Sequence, residues 1–306
     1  MENKKLIIIT GPTASGKSAL AVSLAKKIDT EIISADSRQI YKGIPISTAT
    51  PSEEEKGGIC HHLLDFLPLD SYYSASLFRD QANDILKKIF NKKETAIVCG
   101  GSMLYIDALV NGIDELPTVP DTIRQSLMND WKNNDDLWLL TQLLKYDPDY
   151  YEKVDKNNLK RVFHAIEISI TANRPYSSML TGRQNLKKNL PYKVVKICLD
   201  GSRVELFDRI NNRVLKMIDA GLENEALKVY PLRHLNSLNT VGLKEMFEMF
   251  GGRLKREEAI ARIQKNTRVY AKKQLTWHKK NEDLIYLDFS NSIEHNVGFI
   301  EQELLK

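Results

Sequence analysis

Apolar residues open the chain as an unbroken run, Leu6-Ile7-Ile8-Ile9, and a second run follows at Thr95-Ala96-Ile97-Val98-Cys99. Short β-branched runs of this kind predict strands buried on both faces, as in a parallel sheet. Glu31–Ser34 and Val194–Leu199 carry the same character, and Leu284-Ile285-Tyr286-Leu287 fits a last strand. Between the runs the period changes to that of a helix. Leu20, Leu24 and Ile28 mark one face of a helix over Lys17–Ile28. Further helices are predicted from about Ser76 to Phe90 and from Met103 onward. Strand and helix in alternation predict a doubly wound parallel α/β core.

Near Gly112 the pattern breaks. Leu116-Pro117-Thr118-Val119-Pro120-Asp121 is rich in breakers and ends in a candidate N-cap, Asp121. From Thr122 to about Ala172 the chain reads as helices, with a turn at Asp147-Pro148; Pro175 and a Thr181-Gly182 turn follow. Ser202-Arg203-Val204-Glu205 has capping-box spacing and opens helices that run to about Lys280. The expected architecture is therefore an α/β core, residues 1–112 and 194–306, with a P-loop-type parallel sheet flanked by helices. An all-helical insertion domain at 113–193 interrupts it.

Between the first strand and the first helix lies Gly11-Pro12-Thr13-Ala14-Ser15-Gly16-Lys17-Ser18, a match to the phosphate-binding loop G-x-x-x-x-G-K-S/T. Its glycines let backbone N–H groups turn toward an anion, and the helix N-terminus adds partial positive charge. Lys17 is expected to neutralise phosphate oxygens, and the Ser18 hydroxyl to ligate a Mg²⁺ shared between two phosphates. The loop announces a di- or triphosphate without saying which; nucleotide or ATP binding is implied by the motif only.

Charge changes the picture through its distribution. The net charge is only +4, but Ile168–Leu199 contains no acid while holding Arg174, Arg183, Lys187, Lys188, Lys193 and Lys196. Ala259–Asn281 is also acid-free and holds seven Lys or Arg residues, of which Arg262, Lys265, Arg268 and Lys272 would align on a helix. These stretches suit a polyanion surface, or simply two solvated helix faces. No apolar run reaches the roughly 18 residues of a membrane span. A strand begins within a few residues of Met1, which leaves no room for a signal peptide, and a cytoplasmic protein is expected. Cys60, Cys99 and Cys198 are odd in number and far apart, which argues against a disulfide framework or a zinc site and suits a reducing compartment. Cys60-His61-His62 has metal-binding residue types, but three adjacent residues rarely converge on one ion.

An NTPase of this fold places an Asp at the end of a second strand. Here Thr95–Cys99 runs into Gly100-Gly101-Ser102 with no acid, whereas Glu31–Ser34 runs into Ala35-Asp36-Ser37-Arg38-Gln39. Asp36 can serve as general base, as metal ligand, or as the cap of the next turn. Ser102 offers a hydroxyl at a second strand end, or caps the following helix.

In combination these segments resemble the tRNA dimethylallyltransferase (tRNA isopentenyltransferase) family. The resemblance rests on Gly11–Ser18, on Ile33–Gly43, on His61-His62-Leu63-Leu64-Asp65, on Tyr73-Ser74-Ala75 with Phe78-Arg79, and on Gly100–Tyr105. It continues through Arg213-Val214-Leu215-Lys216-Met217 with Gly221-Leu222 and Glu225, and through Tyr270–Trp277. The resemblance implies a Mg²⁺-dependent transfer of a dimethylallyl group from dimethylallyl diphosphate to N6 of adenosine 37, in tRNAs reading codons that start with U. The phosphate loop then holds the prenyl donor. Asp36 is the implied base, and Lys17, Ser102 and Arg213 stabilise the leaving diphosphate. Asp36, Ser37, Arg38 and Gln39 contact the flipped-out base and its neighbours, with Thr48, Ser102, Arg124 and Arg161 as further tRNA contacts. The helical insertion would grip the anticodon stem-loop, and the chain is expected to act as a monomer.

Two positions depart from the family pattern: Ser102 stands where Thr is usual, and His164 where Arg is usual. Arg213 also has a plainer reading, a helix-surface arginine paired with Asp208 or Asp219. Trp131, Trp138 and Trp277 read as core rather than as stacking platforms. Two other classes share parts of the pattern. A small-molecule kinase shares the loop and a strand-end Asp, but needs an arginine lid over ATP and no basic face. A non-enzymatic P-loop RNA-binding protein predicts loss of Lys17 or of the base, and both residues are present.

Overall fold

Leu6, Ile7, Ile8 and Ile9 are fully buried at the centre of a six-stranded parallel sheet in a computed structural model, which describes residues 4–181, 190–280 and 283–305. The strands are β1 (Lys5–Thr10), β2 (Ile32–Ser34), β3 (His61–His62), β4 (Thr95–Cys99), β5 (Lys193–Asp200) and β6 (Leu284–Asp288), in the order β3-β2-β4-β1-β5-β6. Ile7 pairs with Ile97 of β4 and with Val195 of β5, so each apolar run lies beside another. Alternate residues of these runs face one helical layer. Ile7, Ile9, Ile97 and Ile197 pack with Leu20 and Leu24 of the helix Lys17–Lys27, with Leu206 and Ile210, and with Val297 and Ile300. Leu6, Ile8 and Val98 on the opposite face are equally buried, which is why the runs do not alternate with polar residues.

The chain divides into two compact units, 1–110 with 189–306, and 111–188. The second unit is helical, with helices Asp121–Asn133, Asp136–Tyr146, Pro148–Lys153 and Leu159–Ala172. Its core gathers Leu127, Leu139, Leu143, Val162, Phe163 and Ile166, with Trp131 and Trp138 packed against it. Asp147, at the expected turn, is fully buried and satisfied. It accepts from the Tyr150 amide, the Ser177 amide and the Ser177 hydroxyl at 2.6 to 2.9 Å. The α-helices Arg203–Asp219, Leu222–Val229, Leu243–Phe250 and Arg256–His278 lie between β5 and β6.

Some local expectations change. Pro120, not Asp121, is the N-cap of its helix, because Asp121 already has helical geometry. Ser202 caps its helix through the Glu205 amide, but the Glu205 carboxylate turns to Arg209 Nη2 at 2.7 Å, so the reciprocal half of the capping box is absent among the described residues. The two-residue strand β3 and the C-terminal helix Ile293–Leu305 were not anticipated. The Thr181-Gly182 turn is only partly described, since Gly182 lies outside the described residues, as do Arg183, Lys187, Lys188 and Asn281 of the basic stretches.

Candidate active site

The strand order brings the C-terminal ends of β2, β4 and β1 side by side, and each end carries one segment of the site. After β1, Gly11–Ser18 winds into the helix Lys17–Lys27. Gly16 is its N-cap at φ 87°, a left-handed conformation natural to glycine. Gly11, at φ 149°, lies so close to its neighbours that a Cβ would stand 2.8 Å from the Leu199 carbonyl oxygen. The Ser15 hydroxyl is buried and makes no hydrogen bond among the described residues. A buried hydroxyl without a partner is costly, and a ligand oxygen in the loop would satisfy it. Ser18 is exposed.

After β4, Gly100-Gly101-Ser102 turns beneath the segment that follows β2. The Ala35 amide donates to the Cys99 carbonyl at 2.8 Å, and the Ser102 amide to the Ala35 carbonyl at 3.0 Å. Gly100 has no space for a side chain, since a Cβ would fall 2.1 Å from the Ala35 carbonyl oxygen. Gly100→Ala must therefore displace the backbone that carries Asp36. A stability loss of at least about 2 kcal/mol is expected, measurable by denaturant unfolding, together with a fall in activity.

Asp36 is half-buried and accepts from the Arg38 amide at 2.9 Å and the Gln39 amide at 3.3 Å through Oδ1 alone. It therefore does cap the turn. Its carboxylate also lies within electrostatic reach of both Lys17 and Arg213. Burial is the main influence on Lys17 and lowers its pKa, and Arg213 adds to this, while Cys99 and Asp36 partly offset it. The Lys17 ammonium lies 3.4 Å from the Pro12 carbonyl oxygen. Arg213, half-buried on the helix Arg203–Asp219, is also lowered by burial, against the pull of Asp36 and Glu55. No hydrogen bond or ion pair engages its guanidinium among the described residues, so the plainer pairing with Asp208 or Asp219 is not formed. Two cations within electrostatic reach of one carboxylate, one of them on the phosphate loop itself, make a site that favours a polyanion.

The other expected contacts are held in more specific ways. Arg38 donates to the backbone carbonyls of Asn236, Ser237 and Asn239. Gln39 donates to the carbonyls of Thr48 and Ala49. The Thr48 hydroxyl meets the Ile44 carbonyl and the Thr50 hydroxyl. Glu225 fixes this loop by accepting from the Ile46 and Ser47 amides, each at 2.7 Å. Ser37 is half-buried beside Asp36. In the helical unit Arg124 is clamped by the buried Glu167, at 2.8 and 3.1 Å, and His164 reaches the same carboxylate at 2.9 Å. Burial pushes Glu167 upward, but hydrogen bonds from His164 and Arg124 outweigh it and hold the carboxyl below its usual range. Arg161 is exposed on the same helix as His164.

Two buried residues on the helix Arg256–His278 tie the site together. Gln274 accepts from the Thr13 amide at 3.0 Å and donates to the Gly101 carbonyl at 3.1 Å, linking the phosphate loop to the turn after β4. His278, fully buried, shares a 3.0 Å hydrogen bond between Nε2 and the Thr10 hydroxyl, directly before the loop, and its Nδ1 has no partner among the described residues. Burial and then Lys17 push this ring down to about 4, with Asp200 opposing. The folded chain thus keeps His278 neutral while the unfolded chain protonates it below about 6.5. The stabilisation is complete above that pH and is lost as pH falls toward the folded value. The loss is worth roughly 3 kcal/mol. Denaturant unfolding of the protein and of His278→Gln, near neutral pH and at about pH 4.5, should show a steeper acid loss in the unaltered chain.

The parallel sheet and the loop at the end of its central strand define a P-loop α/β protein. The IPP transferase family model matches residues 39–281. The chain belongs to this family. It is 44% identical over 281 residues to tRNA dimethylallyltransferase 2 of Parabacteroides distasonis, covering 92% of this chain and 93% of that protein. Among solved structures it resembles the tRNA isopentenylpyrophosphate transferase of Bacillus halodurans, with 32% identity, TM-score 0.72, and coverage of 98% and 97% of the two chains. It also resembles a eukaryotic dimethylallyltransferase acting on tRNA, with 26% identity, TM-score 0.80, and coverage of 98% and 80%.

Proposed function

We propose that the protein transfers a dimethylallyl group from dimethylallyl diphosphate to the exocyclic N6 of adenosine 37 in tRNAs reading codons that start with U. The observation that carries this reading is the loop Gly11–Ser18 with its unsatisfied buried hydroxyl, in a chain of this family, with Asp36 within electrostatic reach of Lys17 and Arg213. Adenine N6 is a weak nucleophile because its lone pair is delocalised into the ring. Asp36 takes its proton as the N6–carbon bond forms and the carbon–oxygen bond to diphosphate breaks. The departing diphosphate gathers negative charge, met by the loop amides, Lys17, Arg213 and the Ser102 hydroxyl. An allylic carbon tolerates cation character, so positioning and charge stabilisation carry most of the catalysis.

The residues fit Mg²⁺. Ser18 presents an exposed hydroxyl with no hydrogen-bond partner among the described residues, and Mg²⁺ takes few protein ligands and keeps its waters. Bound there, the ion would supply charge neutralisation of the diphosphate. A base stacked in an anticodon loop must be flipped out to react. Asp36, Ser37, Arg38 and Gln39 line the turn that would read it, with Thr48 tied to it through the Gln39 side chain and Ser102 through its amide bond to the Ala35 carbonyl. The helical unit, through Arg124 and Arg161, would contact the stem. Along the helix Arg256–His278 a groove of about 400 Å³ is lined by Met103, Val269, Lys272, Lys273, Trp277 and Lys280, a basic and partly apolar lining suited to an RNA strand. Trp277 is thus half-buried in a groove wall and not in the core, unlike the expectation from sequence. No helix of the described residues is long and apolar enough to cross a membrane. As a tRNA-modifying enzyme the protein is proposed to act in the cytoplasm, as a monomer. Diphosphate release tests the reading. It should require dimethylallyl diphosphate, Mg²⁺ and unmodified tRNA, and proceed without ATP. Release that depends on ATP would overturn it.

A further inference from the structure

A cluster of different chemistry lies at the opposite, N-terminal end of β2, beside β3. Glu31 immediately precedes β2 and Cys60 immediately precedes β3, while His62 ends β3. Parallel pairing of Ile32 with His61, and a 3.0 Å hydrogen bond from the Ile32 amide to the Cys60 carbonyl, hold these starts together. Asp36 lies beyond the other end of β2, so the cluster is separate from the phosphate loop. The His62 Nε2 atom is 2.6 Å from Glu31 Oε2 and 3.6 Å from Cys60 Sγ, and all three donor atoms lie within 4.8 Å of one another. His61 is not part of it, because its Nδ1 meets the Ile59 carbonyl at 2.9 Å.

We infer that Glu31, Cys60 and His62 form a zinc-binding site. A thiolate, an imidazole and a carboxylate are together a donor set for Zn²⁺, and the thiolate disfavours Mg²⁺ or Ca²⁺. Tetrahedral zinc with ordinary bond lengths sets sulfur and nitrogen about 3.6 Å apart, and nitrogen and oxygen about 3.3 Å apart. The first spacing is already present, and the second requires the Glu31 carboxylate to withdraw by less than about 1 Å. Cys60 is exposed, and His62 and Glu31 are each about one-third accessible, so an ion can enter and keep a water as its fourth ligand. On binding, the Cys60 thiol gives its proton to solvent and the resulting thiolate takes the metal. Three adjacent residues, Cys60-His61-His62, do not converge on one point. Strand pairing supplies Glu31 in place of His61.

The full chain, stripped of metal with a chelator, is titrated with Zn²⁺, and with Co²⁺ as a coloured reporter of thiolate ligation. One equivalent of Zn²⁺ should bind, and Co²⁺ should show a sulfur-to-metal charge-transfer band. Cys60→Ala and His62→Gln should each weaken binding by at least about tenfold. Among the three cysteines only Cys60 is exposed, so Zn²⁺ should slow the single fast reaction with a thiol reagent, a test that needs no variant. Absence of saturable uptake, uptake unchanged in both variants, or an unprotected Cys60 would each overturn the assignment.

Discussion

Asp36→Asn is expected to lower turnover by about 10²- to 10⁴-fold while leaving affinity for dimethylallyl diphosphate near that of the unaltered enzyme. Asn keeps a side-chain oxygen, so the bonds from the Arg38 and Gln39 amides survive and the turn should hold. What disappears is the capacity to take a proton and the negative charge facing Lys17 and Arg213. Losing that charge should, if anything, favour the anionic donor. A split between a collapsed kcat and an unchanged donor dissociation constant therefore separates the base from the other roles open to Asp36. Parallel loss of both would point instead to metal ligation, and unchanged turnover would reduce Asp36 to a turn cap.

Arg213→Gln should cost about 10²- to 10³-fold in kcat, with little change in tRNA affinity and no loss of folding stability. The guanidinium is half-buried, lowered in pKa by that burial, and not engaged in an ion pair among the described residues. Asp36 and Glu55 act on this charge only at a distance, and removing a buried charge that no ion pair holds does not weaken the fold. The compensation proposed is the diphosphate, strongest as the bond to carbon breaks. Thermal unfolding with and without inorganic diphosphate checks this. Diphosphate should raise the melting temperature of the unaltered chain more than that of Arg213→Gln, and equal shifts would remove Arg213 from the site.

What the sequence made legible was local. The loop Gly11–Ser18 and its flanking run and helix are contiguous, so their spacing alone places them, and Asp36 and Ser102 follow from lying just past strand runs. The joint resemblance supplied Arg213, far away in sequence. Features created only by tertiary packing were not legible. Gln274 looks like one polar residue in a basic helix, and its bridging of Thr13 and Gly101 exists only once three elements meet. His278 gives no sign in sequence that it will be buried under Thr10. Strand β3 is two residues long, too short for any periodicity, so the approach of Glu31 to Cys60 and His62 was hidden. The C-terminal helix could have been found, because Ile293, Val297, Ile300 and Leu304 repeat at helical spacing. Arginine count also misleads. Arg38 and Arg124 are both occupied by the protein's own acceptors, whereas Arg213 is not.

The central claim is that the phosphate loop serves a prenyl donor and that the acceptor is adenosine 37. Mass spectrometry of nucleosides tests it most directly, after incubation of the protein with Mg²⁺, dimethylallyl diphosphate and an unmodified tRNA carrying adenines at 36 and 37, without ATP. The expected product is adenosine 37 heavier by one C5H8 unit, absent in the Asp36→Asn reaction. A folded preparation that leaves adenosine 37 unmodified, or that modifies it only when ATP is added, would contradict the account.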